Sequence, residues 1–184
     1  MKRKFIAVIV FACMLFVAAA AIWLSHEREL SRRVNCLSCL RSTGWALGMY
    51  CQEYNGRLPE NFSLMSNVMS TPFFYVCPWN SKTAHSKTRE SWTNVTEWMD
   101  YFYVPWPSVT GVYTNYPLMY DRRLANHGGK GINILLVEQA VHPAVPHKPE
   151  TFHGQFFWDE DARWLQKFAK EHPDLKVPLP EDLK

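Results

Sequence analysis

From Phe5 to Leu24, twenty successive residues carry no charge (FIAVIVFACMLFVAAAAIWL). A helix rises about 1.5 Å per residue, so this stretch covers the ~30 Å hydrocarbon layer of a bilayer. Beyond it the apolar positions change rhythm. Leu30, Val34, Leu37, Leu40, Gly44, Leu47, Cys51 and Tyr54 recur at three- and four-residue steps, one stripe of an amphipathic helix. No proline interrupts the run before Asn55-Gly56, a left-handed helix stop, with Pro59 behind it. The pattern predicts one continuous helix from residue 5 to residue 54. Its first half lies in lipid, and its striped second half is covered on one side by the rest of the chain.

Helical signal then fades until the C-terminus. Phe73 to Val76, Tyr101 to Val104 and Leu118 to Tyr120 are short aromatic or β-branched runs beside Pro or Gly and read as strands. Ile132 to Val137 and Ala140 to Val145 flank Glu138-Gln139, which predicts a hairpin turning at that pair. The polar stretch Asn80 to Thr96 reads as a surface excursion, and Trp158 to Glu171 has helical spacing before Pro173 ends it. The expected organisation is therefore a membrane anchor over 1–24 and an α+β domain over 25–172. That domain holds helix 25–54, a sheet region 73–145 of three to five antiparallel strands and a C-terminal helix 158–171. A loose tail, 173–184, follows.

The chain has 184 residues, 47% of them hydrophobic and 20% charged, enough for one packed domain. Lys2, Arg3 and Lys4 carry the whole formal charge of +3, because outside that triplet 17 basic residues face 17 acidic ones. A nucleic-acid surface needs a clustered cationic excess, and none is present. The triplet instead keeps the N-terminus cytoplasmic by the positive-inside rule, leaving everything after Leu24 outside the cytoplasmic membrane. Two processing routes compete with a retained anchor: signal-peptide cleavage near Ala18 to Ala21, and lipidation at Cys13.

Catalytic signatures are missing: no G-x-S-x-G, H-E-x-x-H, P-loop or Rossmann glycine pattern occurs. Cys36 and Cys39 form a C-x2-C pair without a second ligand pair, which argues against zinc, and a redox role would need a thiol of depressed pKa. No catalytic residue, cofactor or metal ligand is therefore expected. Asp121, His127 and Glu138 are the residues a site would recruit. The simpler reading makes Asn126-His-Gly-Gly129 a tight connection in which the ring bonds backbone and the glycines supply positive φ. Trp79, Trp92, Trp98 and Trp106 fall in or beside loops, where they either complete the core or stack on a glycan or protein partner. Asn61-Phe-Ser63 and Asn94-Val-Thr96 fit the glycosylation sequon, a pattern common by chance.

Several of these segments together resemble a known family. Cys36-Leu-Ser-Cys-Leu-Arg-Ser-Thr-Gly-Trp-Ala-Leu-Gly-Met-Tyr50 followed by Asn55-Gly-Arg-Leu-Pro59 is similar to the post-anchor helix of prepilin-type, type II secretion pseudopilin-like proteins of the H-x9-D-G family, known from planctomycetes and verrucomicrobia. Val76-Cys-Pro78 resembles that family's cysteine-proline step. Pro117-Leu-Met-Tyr-Asp121, Asn126-His-Gly-Gly129 and Asn133 to Val141 resemble its terminal hairpin, with His127, Gly128, Gly129, Glu138 and Gln139 in place of the signature. The chain departs from the pattern where Lys4 replaces the Gly before the cleaved bond and Ile9 replaces the Glu at the fifth mature position. It departs again where ten residues separate His127 from Glu138-Gln139.

The resemblance implies a pilin-like fold and a structural subunit of a secretion or pilus-like machine, acting by packing its helix on other pilin-like subunits. It also makes Cys36 the partner of Cys77 in a disulfide, should the domain face an oxidising compartment, with Cys39 and Cys51 remaining buried thiols. The alternative to this role is a singly anchored, non-assembling extracytoplasmic domain that binds a glycan or protein through its Trp-bearing loops.

Overall fold

The computed structural model describes residues 2–54, 58–70, 75–77, 92, 95–104, 112–127, 129, 131–141 and 152–183. α1 is one unbroken 52-residue helix, Lys2–Glu53. Tyr54 extends its hydrogen-bond ladder through its N–H to the Tyr50 carbonyl at 2.9 Å. Asn55 and Gly56, the expected stop, lie outside the described residues. Its described first half, Ile6 to Leu24, is apolar and exposed almost throughout, a segment long and apolar enough to cross a membrane.

The second half of α1 is buried on one side only. Arg33, Cys36, Leu40, Thr43, Leu47, Tyr50 and Cys51 face inward at three- and four-residue steps. This face is rotated from the expected stripe: Leu37 is half-buried, and Leu30, Val34 and Tyr54 are 47%, 56% and 38% exposed. Apolar spacing locates a helix's greasy positions, but which of two apolar faces is covered depends on where the sheet lies.

After a 3-10 turn, Phe62–Asn67, and the single-turn α2, Val95–Trp98, come four strands: β1 Tyr101–Tyr103, β2 Val112–Asp121, β3 Gly131–Val141 and β4 Phe152–Trp158. They form one antiparallel sheet in the order β1-β2-β3-β4. Its register aligns Tyr101 with Asp121, Tyr120 with Ile134, and Leu135 with Gly154. A shift in the ladder between Pro117 and Met119 falls where proline offers no N–H to it. α3, Asp159–Glu171, follows β4 directly. Both α1 and α3 pack on β3 and β4. Every side chain of β3 from Gly131 to Val137 is buried, so that strand is covered on both faces.

Four expectations change. Glu138-Gln139 is not a turn: β3 runs through it, with Gln139 opposite Thr114, because the pair lacks the glycine or asparagine a tight reversal needs. The strand expected at Phe73 to Val76 is absent from its described part, where Tyr75 to Cys77 is irregular, while Phe73 and Phe74 lie outside the described residues. β4, which the sequence pattern did not suggest, pairs with β3 and completes the sheet. The tail after Pro173 is packed. Val177 is buried, the Glu181 N–H donates to the Arg122 carbonyl at 3.0 Å, and the Tyr120 hydroxyl donates to the Pro178 carbonyl.

Candidate functional site

Where α1 meets the sheet, a group of polar side chains is sealed inside an apolar core. Cys36 enters from the inward face of α1, Tyr101 opens β1, Asp121 closes β2 and Asn133 is the third residue of β3. His127 ends the 3-10 turn Leu124–His127 that joins β2 to β3. That turn closes with the Gly129 N–H donating to the Leu124 carbonyl at 3.0 Å, and Gly129 has φ +73°, where a side chain would be strained. Cys77 is fixed from the other side. Its N–H donates to Asp100 Oδ2 at 2.9 Å, while the Asp100 N–H donates to the Tyr75 carbonyl at 3.0 Å.

Asp121 is the hub. Its Oδ2 accepts the Asn133 N–H at 2.6 Å and lies 3.2 Å from His127 Nε2, with Cys36 Sγ donating to Oδ1 at 3.5 Å. Asn133 Nδ2 is 3.0 Å from the same His127 nitrogen, and the Tyr101 hydroxyl is 2.9 Å from Cys36 Sγ. Cys36, Cys77, Tyr101, Asp121, His127 and Asn133 all have no exposed surface. One ligating atom from each of Cys36, Cys77 and His127 falls within 4.8 Å of the other two.

Burial and charge set the protonation states. Burial pushes the His127 imidazole toward neutrality, but the hydrogen bond and negative charge of Asp121, helped by Cys77 and Glu29, outweigh it and leave the pKa above the usual value. Burial pushes the Cys36 thiol well up, and Cys77 and Asp121 push it further. Cys39 is driven up to about 11, first by burial and then by Cys77. Neither member of the C-x2-C pair has the depressed pKa of a redox nucleophile.

The structure brings Asp121 and His127 together, with His127 Nε2 facing the Asp121 carboxylate at 3.2 Å and lying 3.0 Å from Asn133 Nδ2. Cys36 and Cys77 are neighbours, both as thiols, and Cys51 is a fully buried thiol while Cys39 is partly exposed. Glu138 and Gln139 lie within β3, and their side chains are outside the described set, as are Gly128, Trp79 and Trp106. Trp92 and Trp98 are half-buried against the core, with the Trp92 ring 5.7 Å from that of Tyr75. Asn61 caps the 3-10 turn that follows it, its side chain accepting the Ser63 N–H at 3.0 Å. Sequence reasoning missed Tyr101, Asp100 and Asn133. Asn133 had a signal, since it is the only polar residue in the apolar run from Ile132 to Val137. Compared with protein-family models, with curated proteins and with solved structures, this chain matches none.

Proposed function

We propose that the protein is a membrane-anchored, pseudopilin-like structural subunit that packs its helix laterally against copies of itself or related subunits in a secretion or pilus-like machine. The role is binding, with the N-terminus cytoplasmic and the sheet outside. One observation carries this reading: α1 continues without a break from an uncovered apolar anchor into a half whose outer face still carries four exposed large apolar side chains, interleaved with the exposed polar residues Ser38 and Arg41. Leu30, Val34, Trp45 and Met49 are exposed on the side of α1 away from the sheet, at steps of four, eleven and four residues that keep them on one face. Trp45 is 60% exposed. Exposed apolar side chains set among polar ones along the shaft beyond the anchor fit a second helix lying alongside.

The test is crosslinking in cells from a photoreactive residue placed on each face. Positions 34 and 45 are expected to capture another subunit, and positions 40 and 47 are expected to capture none. Monomer alone from all four, with secretion intact after deletion of the protein, would sink the proposal. Lys4 and Ile9, standing where the family has its processing Gly and helix Glu, favour a second reading: a plain signal anchor carrying a non-assembling domain that binds a glycan or protein. Intact-mass measurement separates the two, since a cleaved, methylated Phe5 belongs to the pilin route and retained Lys2 to Lys4 to the plain anchor.

A further inference from the structure

We propose that Cys36, Cys77 and His127 bind one zinc ion that ties the sheet to α1. The three come from separate stretches: the helix, the segment Tyr75–Cys77, and the turn between β2 and β3. All three are completely buried, and their ligating atoms lie within 4.8 Å of one another. Bonds of about 2.3 Å to sulfur and 2.0 Å to nitrogen give a tetrahedral site edges of roughly 3.5 to 3.8 Å. The set as folded is therefore within about 1 Å of closing on a metal, a distance that small side-chain rotations cover.

The donors select the ion. Two sulfurs and an imidazole suit zinc, which is borderline soft, over calcium or magnesium, which require oxygen. On binding, Cys36 and Cys77 each lose a thiol proton, and the two thiolates cancel the divalent charge within the core.

The surroundings have the parts that orient such ligands. Asp121 Oδ2, 3.2 Å from His127 Nε2, is the carboxylate partner typical of a metal-bound histidine, and the Asn133 N–H holds that carboxylate at 2.6 Å. The Tyr101 hydroxyl, 2.9 Å from Cys36 Sγ, is a donor placed to stabilise a thiolate.

The test is metal analysis of the full chain, purified in detergent without chelator. About one zinc per chain is expected, falling to near zero in Cys36→Ser, Cys77→Ser and His127→Ala and unchanged in Cys39→Ser and Cys51→Ser. Because the first three variants can fail to fold, the wild-type chain is also titrated with cobalt. Saturation near one equivalent, with thiolate-to-cobalt charge transfer of two-sulfur intensity, supports the site. Three outcomes overturn it: a Cys36–Cys77 disulfide in a non-reduced peptide map, no metal uptake by a chain whose thiols are free, or zinc lost with Cys39→Ser.

Discussion

Asp121 shows how one residue can hold four segments in register. It accepts from the β3 backbone, faces the His127 ring and receives the Cys36 thiol of α1, while pairing across the ladder with Tyr101 of β1. Removing the buried carboxylate leaves the Asn133 N–H and the His127 ring without their acceptor inside the core. Asp121→Ala is therefore expected to cost about 3 kcal/mol, read as a lower urea midpoint with unchanged slope, and a loss under about 1 kcal/mol would show that the hub is dispensable. A second residue-scale effect concerns alkaline pH. Burial raises the Cys51 thiol to about 12 and, outside the site, moves the Tyr75 and Tyr103 hydroxyls up as well. An acid whose folded pKa is raised stays protonated in the native state while the unfolded chain releases its proton. Stability from these groups is thus complete below about pH 8.5 and drains away as pH climbs toward 12. Urea midpoints measured from pH 7 to 11 should fall above pH 9, less steeply in Cys51→Ala.

At the scale of elements, α1 has a covered face and a bare one, and substitutions should sort accordingly. Leu47 has no exposed surface, so Leu47→Ala is expected to cost about 2 to 5 kcal/mol. Trp45→Ala, on the far side, should stay within about 0.5 kcal/mol in the detergent-solubilised monomer. Urea unfolding of the pair checks both values. The helix itself was legible because twenty uncharged residues and an uninterrupted three-four rhythm have few other solutions, and α3 was legible for the same reason. β1 and the core of β2 could be read from aromatic runs. What failed was context: the run from Ile132 to Val145 looked like two strands because Glu138-Gln139 is polar, yet polarity alone does not reverse a chain. β4 hid in Phe152–Trp158, where Gly154 and two polar residues blur the alternation. Of the buried site, Asp121, His127 and Cys36 with Cys77 could be picked out individually. Their convergence could not be read from the sequence, because it depends on a sheet register fixed by long-range pairing.

For the whole molecule, the anchor and the folded domain are separable. Among the described side chains, none of the apolar window of Ile6 to Leu24 is buried inside the domain. A chain beginning at Ser25 is expected to melt within a few degrees of the full-length protein; a collapse of the thermal transition would mean that the anchor supports the fold. Between Leu24 and the first inward residue, Arg33, α1 runs through eight residues carrying Glu27, Arg28, Glu29 and Arg32, with Glu29 3.2 Å from Arg33. This stretch is about 12 Å long at the helical rise, and as one stiff shaft it fixes the compass bearing of the domain relative to the apolar span as well as its distance from it. Excising one residue from it would swing everything above by about 100°, whereas excising seven, nearly two full turns, would lower the domain but leave it pointing almost where it did. The lateral packing proposed above should therefore tolerate the longer deletion better than the shorter one, as in a key that still turns when its shank is shortened but not when its bit is twisted.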